Sequence, residues 1–135
     1  MSSTNEQRKK KIVEEFFGFI MEMNPKGALV LCSKDCRQHN PYVRGGMEAL
    51  FESMSQVQQQ QPSYADPELS IKNVISEEDF VVAHSELLNS KSDPKKGGLR
   101  QAHIFRFGSD NKIVEYWDLT QMIDPNKMPN PANAF

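Results

Sequence analysis

The hydrophobic period of this chain changes once, near residue 62, and that change limits the folds open to it. Before the change, Ile12, Phe16, Phe19, Ile20 and Met23 recur at helical spacing, as do Met47, Leu50, Phe51, Met54 and Val57. After it, the pattern alternates. Leu69, Ile71, Asn73 and Ile75 fall on one face of a strand, and Val82, His84 and Glu86 alternate with Val81, Ala83, Ser85 and Leu87 in the next. Helices first and antiparallel strands afterwards define an α+β chain. A curved sheet with helices on its concave face leaves a cone, packed at the narrow end and able to hold a ligand at its mouth.

Local signals refine these elements. Ser3 with Glu6, or Thr4 with Gln7, has capping-box spacing, so a helix starts there and ends at Asn24-Pro25. Gly27 to Leu31 reads as a short second helix, followed by an extended Cys36 to His39. Gly45-Gly46 precedes the third helix, which runs into Gln58 to Gln61 and stops at Pro62. Glu77 to Asp79 is a turn, Asn89 to Gly98 a polar loop, and Leu99 to Phe107 and Lys112 to Gln121 two further strands. The chain therefore reads as one domain over 1–135, with a polar N-terminus at 1–10 and an irregular tail at 122–135.

Composition narrows the function classes. A net charge of −2 argues against a dedicated nucleic-acid binder, and Arg8 to Lys11 reads as a solvated helix face. No apolar run approaches the roughly 18 residues a bilayer demands, and the N-terminus carries no secretory h-region. The expectation is a cytoplasmic protein without nucleic-acid or membrane partners. Cys32 and Cys36 are too few for a disulfide scaffold or a four-thiolate zinc site, and are expected to be free thiols.

The densest chemistry lies in HIFRFGSDNKIVEYWDLTQ, residues 103–121. A two-residue turn at Asp110-Asn111 places Ser109 opposite Lys112 and Phe107 opposite Val114. Phe105 then faces Tyr116 and His103 faces Asp118, while Arg106 with Glu115 and Ile104 with Trp117 occupy the other side. A three-residue loop or a bulge slips the register by one and sets His103 against Trp117. In the first register, Asp118 is a partly desolvated carboxylate beside an imidazole, the pairing from which proteins build a general acid or base. A purely structural hydrogen bond between the two is the alternative.

With RQHNP followed by an amphipathic helix, then DFVVAHSEL, the same hairpin resembles the SnoaL-like polyketide cyclase family of the nuclear transport factor 2-like superfamily. The resemblance covers about Ile12 to Gln121, and a subgroup predicted to perform aldol condensations is nearest. It implies a cone-shaped fold with three N-terminal helices on a curved, mainly antiparallel sheet, and a conical pocket for an apolar small molecule. It also implies acid/base chemistry without a metal or organic cofactor. Asp118 matches the family's carboxylate, and His103 a pocket residue that in the subgroup is more often aspartate.

His39, Asn40, His84, Gln101, Phe105, Tyr116 and Gln121 are the expected substrate contacts. If His39, His84 and His103 converge, they either orient a carbonyl or, with Asp118, hold a metal. The opposite sheet face, with Ile104, Arg106, Glu115 and Trp117, is the expected homodimer surface. A non-catalytic binding or interaction module is the rival from another class.

Overall fold

Ser3 accepts a hydrogen bond from the Glu6 amide at 3.1 Å and so opens helix α1, Thr4–Met21. In the computed structural model, which describes residues 3–60 and 66–130 (backbone only for 58–60), α1 buries Val13, Phe16 and Phe17. Asn24 caps the short α2, Pro25–Val30, through the Gly27 amide at 3.1 Å. Strand β1, Cys32–Gln38, and helix α3, Met47–Gln60, complete the first half. The expected stop at Pro62 lies outside the described residues.

Four strands follow: β2, Glu68–Glu77; β3, Phe80–Leu88; β4, Gly98–Phe107; and β5, Ile113–Ile123. They form one sheet in the order β1-β5-β4-β3-β2, antiparallel except for the β1–β5 pair. This is the expected α+β architecture, with three helices over one side of a five-stranded sheet. The polar N-terminal stretch is helical from Thr4, in keeping with the Ser3 capping spacing, and β5 carries Met122 and Ile123, so the irregular tail starts at Asp124.

The β4–β5 hairpin reaches the expected pairing by an unexpected route. Its turn is a three-residue loop, with the Gly108 amide donating to Lys112 O at 2.9 Å and the Asn111 amide donating to Gly108 O at 3.0 Å. Asn111 takes φ 58°, the left-handed conformation that Asn tolerates. Gly108 therefore faces Lys112, and Phe107 faces Ile113 instead of Val114. By itself this loop would set His103 against Trp117. Val114 is an extra residue between the Phe107–Ile113 and Arg106–Glu115 pairs, and this bulge restores the register. His103 thus faces Asp118, Phe105 faces Tyr116, Ile104 faces Trp117 and Arg106 faces Glu115.

Bulges also reassign faces elsewhere. The β2–β3 register shifts between Ile71 and Asn73, so Leu69 and Ile71 share the helix-covered side with Val74, while Ile75 is 63% exposed. The expected Leu69–Ile71–Asn73–Ile75 face therefore does not exist as a unit. In β3 the buried set is Val81, Ala83 and Ser85, which turns His84 outward with Val82.

The core is aromatic. Phe16 stands at its centre, with ring centroids 5.6 Å from Phe17, 5.6 Å from Phe51, 5.1 Å from Phe105 and 5.7 Å from Tyr116. These rings fill the cone. Between the helices, the void lined by Ile20, Met23, Phe51 and Met54 holds only about 10 Å³.

Candidate functional site

Alternation along β4 and β5 carries His103, Phe105 and Tyr116 to the concave side, where each is buried. One His103 nitrogen, Nδ1, lies 2.7 Å from Tyr116 Oη, and the other, Nε2, lies 3.0 Å from Ser85 Oγ. A neutral imidazole has one donor and one acceptor, so it completes a string of three buried polar groups without carrying charge. Burial pushes the His103 pKa down to about 4. Burial raises the Tyr116 phenol well above its ordinary value, and the negative charge of Asp118 adds to that. Neither group ionises near neutrality.

Asp118 sits two residues beyond Tyr116 on the same side of β5 and is half-buried. Although it is the cross-strand neighbour of His103, both ring nitrogens of that histidine are already engaged. Asp118 Oδ2 instead accepts from Asn40 Nδ2 at 2.9 Å. The expected His103–Asp118 hydrogen bond is replaced by two separate arrangements, a buried Ser85–His103–Tyr116 string and an Asn40–Asp118 pair above it. Gln38 holds Asn40 in place. Its side chain accepts from the Asn40 amide at 2.7 Å and donates to Val43 O and Gly45 O, both at 2.9 Å.

The remaining expected contacts disperse. His39 lies on the outer side of the sheet, where its Nε2–H donates to Glu115 Oε2 at 2.6 Å and its ring stacks on Trp117 at 4.6 Å. Arg106 donates to the other Glu115 oxygen through Nε at 3.0 Å and Nη2 at 2.9 Å. The His39 hydrogen bond foremost, with Arg106 behind it, holds the Glu115 carboxyl below its usual value. His84 also faces outward, 3.3 Å from Asn73 Nδ2. Gln121 is exposed and joins His84, Arg100, Ala102 and Leu119 along an outer-face groove of about 320 Å³. Gln101 donates to the Thr120 hydroxyl at 3.0 Å, in an exposed position.

The three histidines therefore do not converge. Among the described residues no group of three or more His, Cys, Asp or Glu side chains is placed to hold a metal ion. Two positioning residues escaped the sequence reading. Ser85 was legible, since the small alternating set Val81, Ala83, Ser85 marks a buried face. Gln38 carried no such signal, because its partners are loop carbonyls brought near only by the fold.

The SnoaL-like domain family profile matches residues 13–116, well over half the chain. No curated protein matches it. Among solved structures, a candidate polyketide cyclase from Bacillus cereus is 19% identical, with a TM-score of 0.71 over 89% of this chain and 79% of that one. A candidate hydroxylase, AclR from Streptomyces galilaeus, is 17% identical, with a TM-score of 0.68 over 86% and 90%. A candidate ketosteroid isomerase from Kribbella flavida is 12% identical, with a TM-score of 0.65 over 89% and 82%. At these identities the likeness is one of fold. No helix among the described residues is long and apolar enough to cross a membrane.

Proposed function

Because the chain belongs to the SnoaL-like domain family, we propose that it is a small-molecule enzyme that moves a proton on an apolar carbonyl compound, with Asp118 as acid/base. The observation that carries this reading is the half-buried Asp118 carboxylate, fixed by Asn40 on the same sheet side as the buried His103 and Tyr116. Asp118 takes the proton α to the carbonyl and returns it, an aldol closure or an isomerisation according to the substrate. Phe105 and Tyr116 pack beneath the site, His103 positions Tyr116, and Gln101 is the proposed donor to the developing enolate oxygen. His39, His84 and Gln121 drop out of the proposed contact set because they face away from it.

The test is exchange of the α-protons of an apolar methyl ketone into deuterated water, followed by NMR. Asp118→Asn is expected to slow exchange by about 100-fold or more while leaving ketone affinity unchanged. Equal exchange in both proteins would sink the assignment.

The second reading, a binding or interaction module, is favoured by the filled interior, since the outer groove is far roomier than the void between the helices. It predicts ketone retention without exchange in the unmodified protein. In either case the outer sheet face is proposed to pair with a second copy. Ile104, Arg106, Glu115 and Trp117 form its centre, and Phe80, Val82 and Leu119 leave 40%, 37% and 55% of their surface exposed beside them. Light scattering is expected to give a dimer, and Leu119→Glu with Val82→Glu a folded monomer. A wild-type monomer would end this reading of the face.

A further inference from the structure

We infer that Cys32 and Cys36 form a dithiol that closes to a disulfide across a bulge in β1 when the protein meets a peroxide. The placement follows from strand pairing. Cys32 lies beside Ile113 and Arg37 beside Glu115, so five steps along β1 match only two along β5. Two extended steps span about 6.6 Å, whereas five would span about 16 Å. The excess residues stay within β1 as a bulge in which Lys34 and Asp35 are exposed, while Cys32 and Cys36 on either side both enter the buried core. Disulfides require Cα atoms about 4.4–6.8 Å apart, a separation this shortened path brings within reach.

Both sulfurs belong to the same buried cluster, with residue exposures of 9% and 8%. Cys32 Sγ–H donates to Ala28 O at 3.6 Å, and the Cys36 sulfur is the neighbour that acts on it most strongly. The neighbouring sulfurs act in opposite directions, raising the Cys32 thiol strongly and lowering Cys36 against the opposing effects of burial and the Glu115 charge. The attacking sulfur is therefore Cys36.

The steps balance without another reactant. The Cys36 thiolate attacks one peroxide oxygen, the O–O bond breaks, and the departing alkoxide or hydroxide takes up a proton. Cys36 is now a sulfenic acid. Cys32 sulfur attacks it, the S–S bond forms, the S–O bond breaks, and water leaves with the Cys32 proton. Two thiols and one peroxide yield one disulfide, one alcohol or water, and one water.

The experiment treats the reduced full chain with equimolar hydrogen peroxide and follows intact mass. The expected product is lighter by two hydrogens, monomeric by covalent linkage, resistant to iodoacetamide after denaturation, and restored by a thiol reductant. Trypsin cuts at Lys34, between the cysteines, so their peptides stay together only if bonded. Cysteines that remain alkylatable, over-oxidise separately or link two chains would overturn the inference. The variants assign the order. Cys32→Ser should stall as a dimedone-trappable sulfenic acid, and Cys36→Ser should react about 10-fold more slowly. Equal rates would overturn Cys36 as the attacking sulfur. None of these readouts depends on turnover at Asp118.

Discussion

Phe16→Ala is expected to lower the free energy of unfolding by about 3–5 kcal/mol, the range for emptying a large aromatic site in a rigid core. Phe16 is 1% exposed and four aromatic rings surround it on different elements, so no single neighbour can move in to fill its place. The loss combines the transfer of the ring to water with the cavity left behind, and interiors relax only partly around such holes. Urea unfolding with circular dichroism measures it. The same variant probes function, because the new hole lies inside the cone. An apolar cavity of this kind stays dry and takes up small aromatic molecules. Benzene is therefore expected to raise the melting temperature of Phe16→Ala and leave the unmodified protein unchanged. A loss below about 1 kcal/mol would mean that the cone is not close-packed around this ring.

His103 is expected to make the protein acid-sensitive in a window well above the carboxylate range. In the unfolded chain the imidazole takes a proton near pH 6.5, but in the fold only near 4, because burial opposes the charge. The folded value is depressed, so the stabilisation is complete above the unfolded value and declines as pH falls. Between pH 6.5 and 4 the full difference converts to about 3 kcal/mol, of which about 2 kcal/mol has gone by pH 5. Urea unfolding at pH 7.5 and pH 5 reads this directly. His103→Gln is expected to be less stable at pH 7.5, since Ser85 and Tyr116 lose their shared partner. It should also be about 2 kcal/mol less sensitive to acidification over this window. An unchanged pH slope would show that the buried imidazole is not the group responsible.

These two residues illustrate different degrees of legibility. Phe16 was readable from helical spacing alone, because burying one face is what an amphipathic helix requires. That His103 faces the cone was readable from the aromatic alternation of the hairpin. Its bonding was not, because Ser85 lies on another strand, 18 residues away. Asp118 was singled out by resemblance to the family's motif, whereas its hydrogen-bond partner Asn40, from the loop after β1 and 78 residues distant, could not be paired with it from spacing. His39 illustrates the opposite failure. It was grouped with the pocket because its neighbours resemble the family motif, yet its ring stacks on Trp117 on the far side of the sheet.

What the amino-acid sequence determined by itself was the kind and order of the elements, the Ser3 cap, the α+β class and the face assignments on either side of His103 and Asp118. Periodicity, capping and cross-strand pairing are local or nearly local, and they act on every residue in the same way. What only the tertiary structure decided was where the strands gain an extra residue. Val114 corrects the hairpin register, the shift between Ile71 and Asn73 turns Ile75 outward, and the shift between Cys32 and Arg37 packs five steps of β1 against two of β5. A single extra residue exchanges the two faces of a strand. At these positions curvature and packing across the whole sheet, and no local preference of the residues involved, place the bulge.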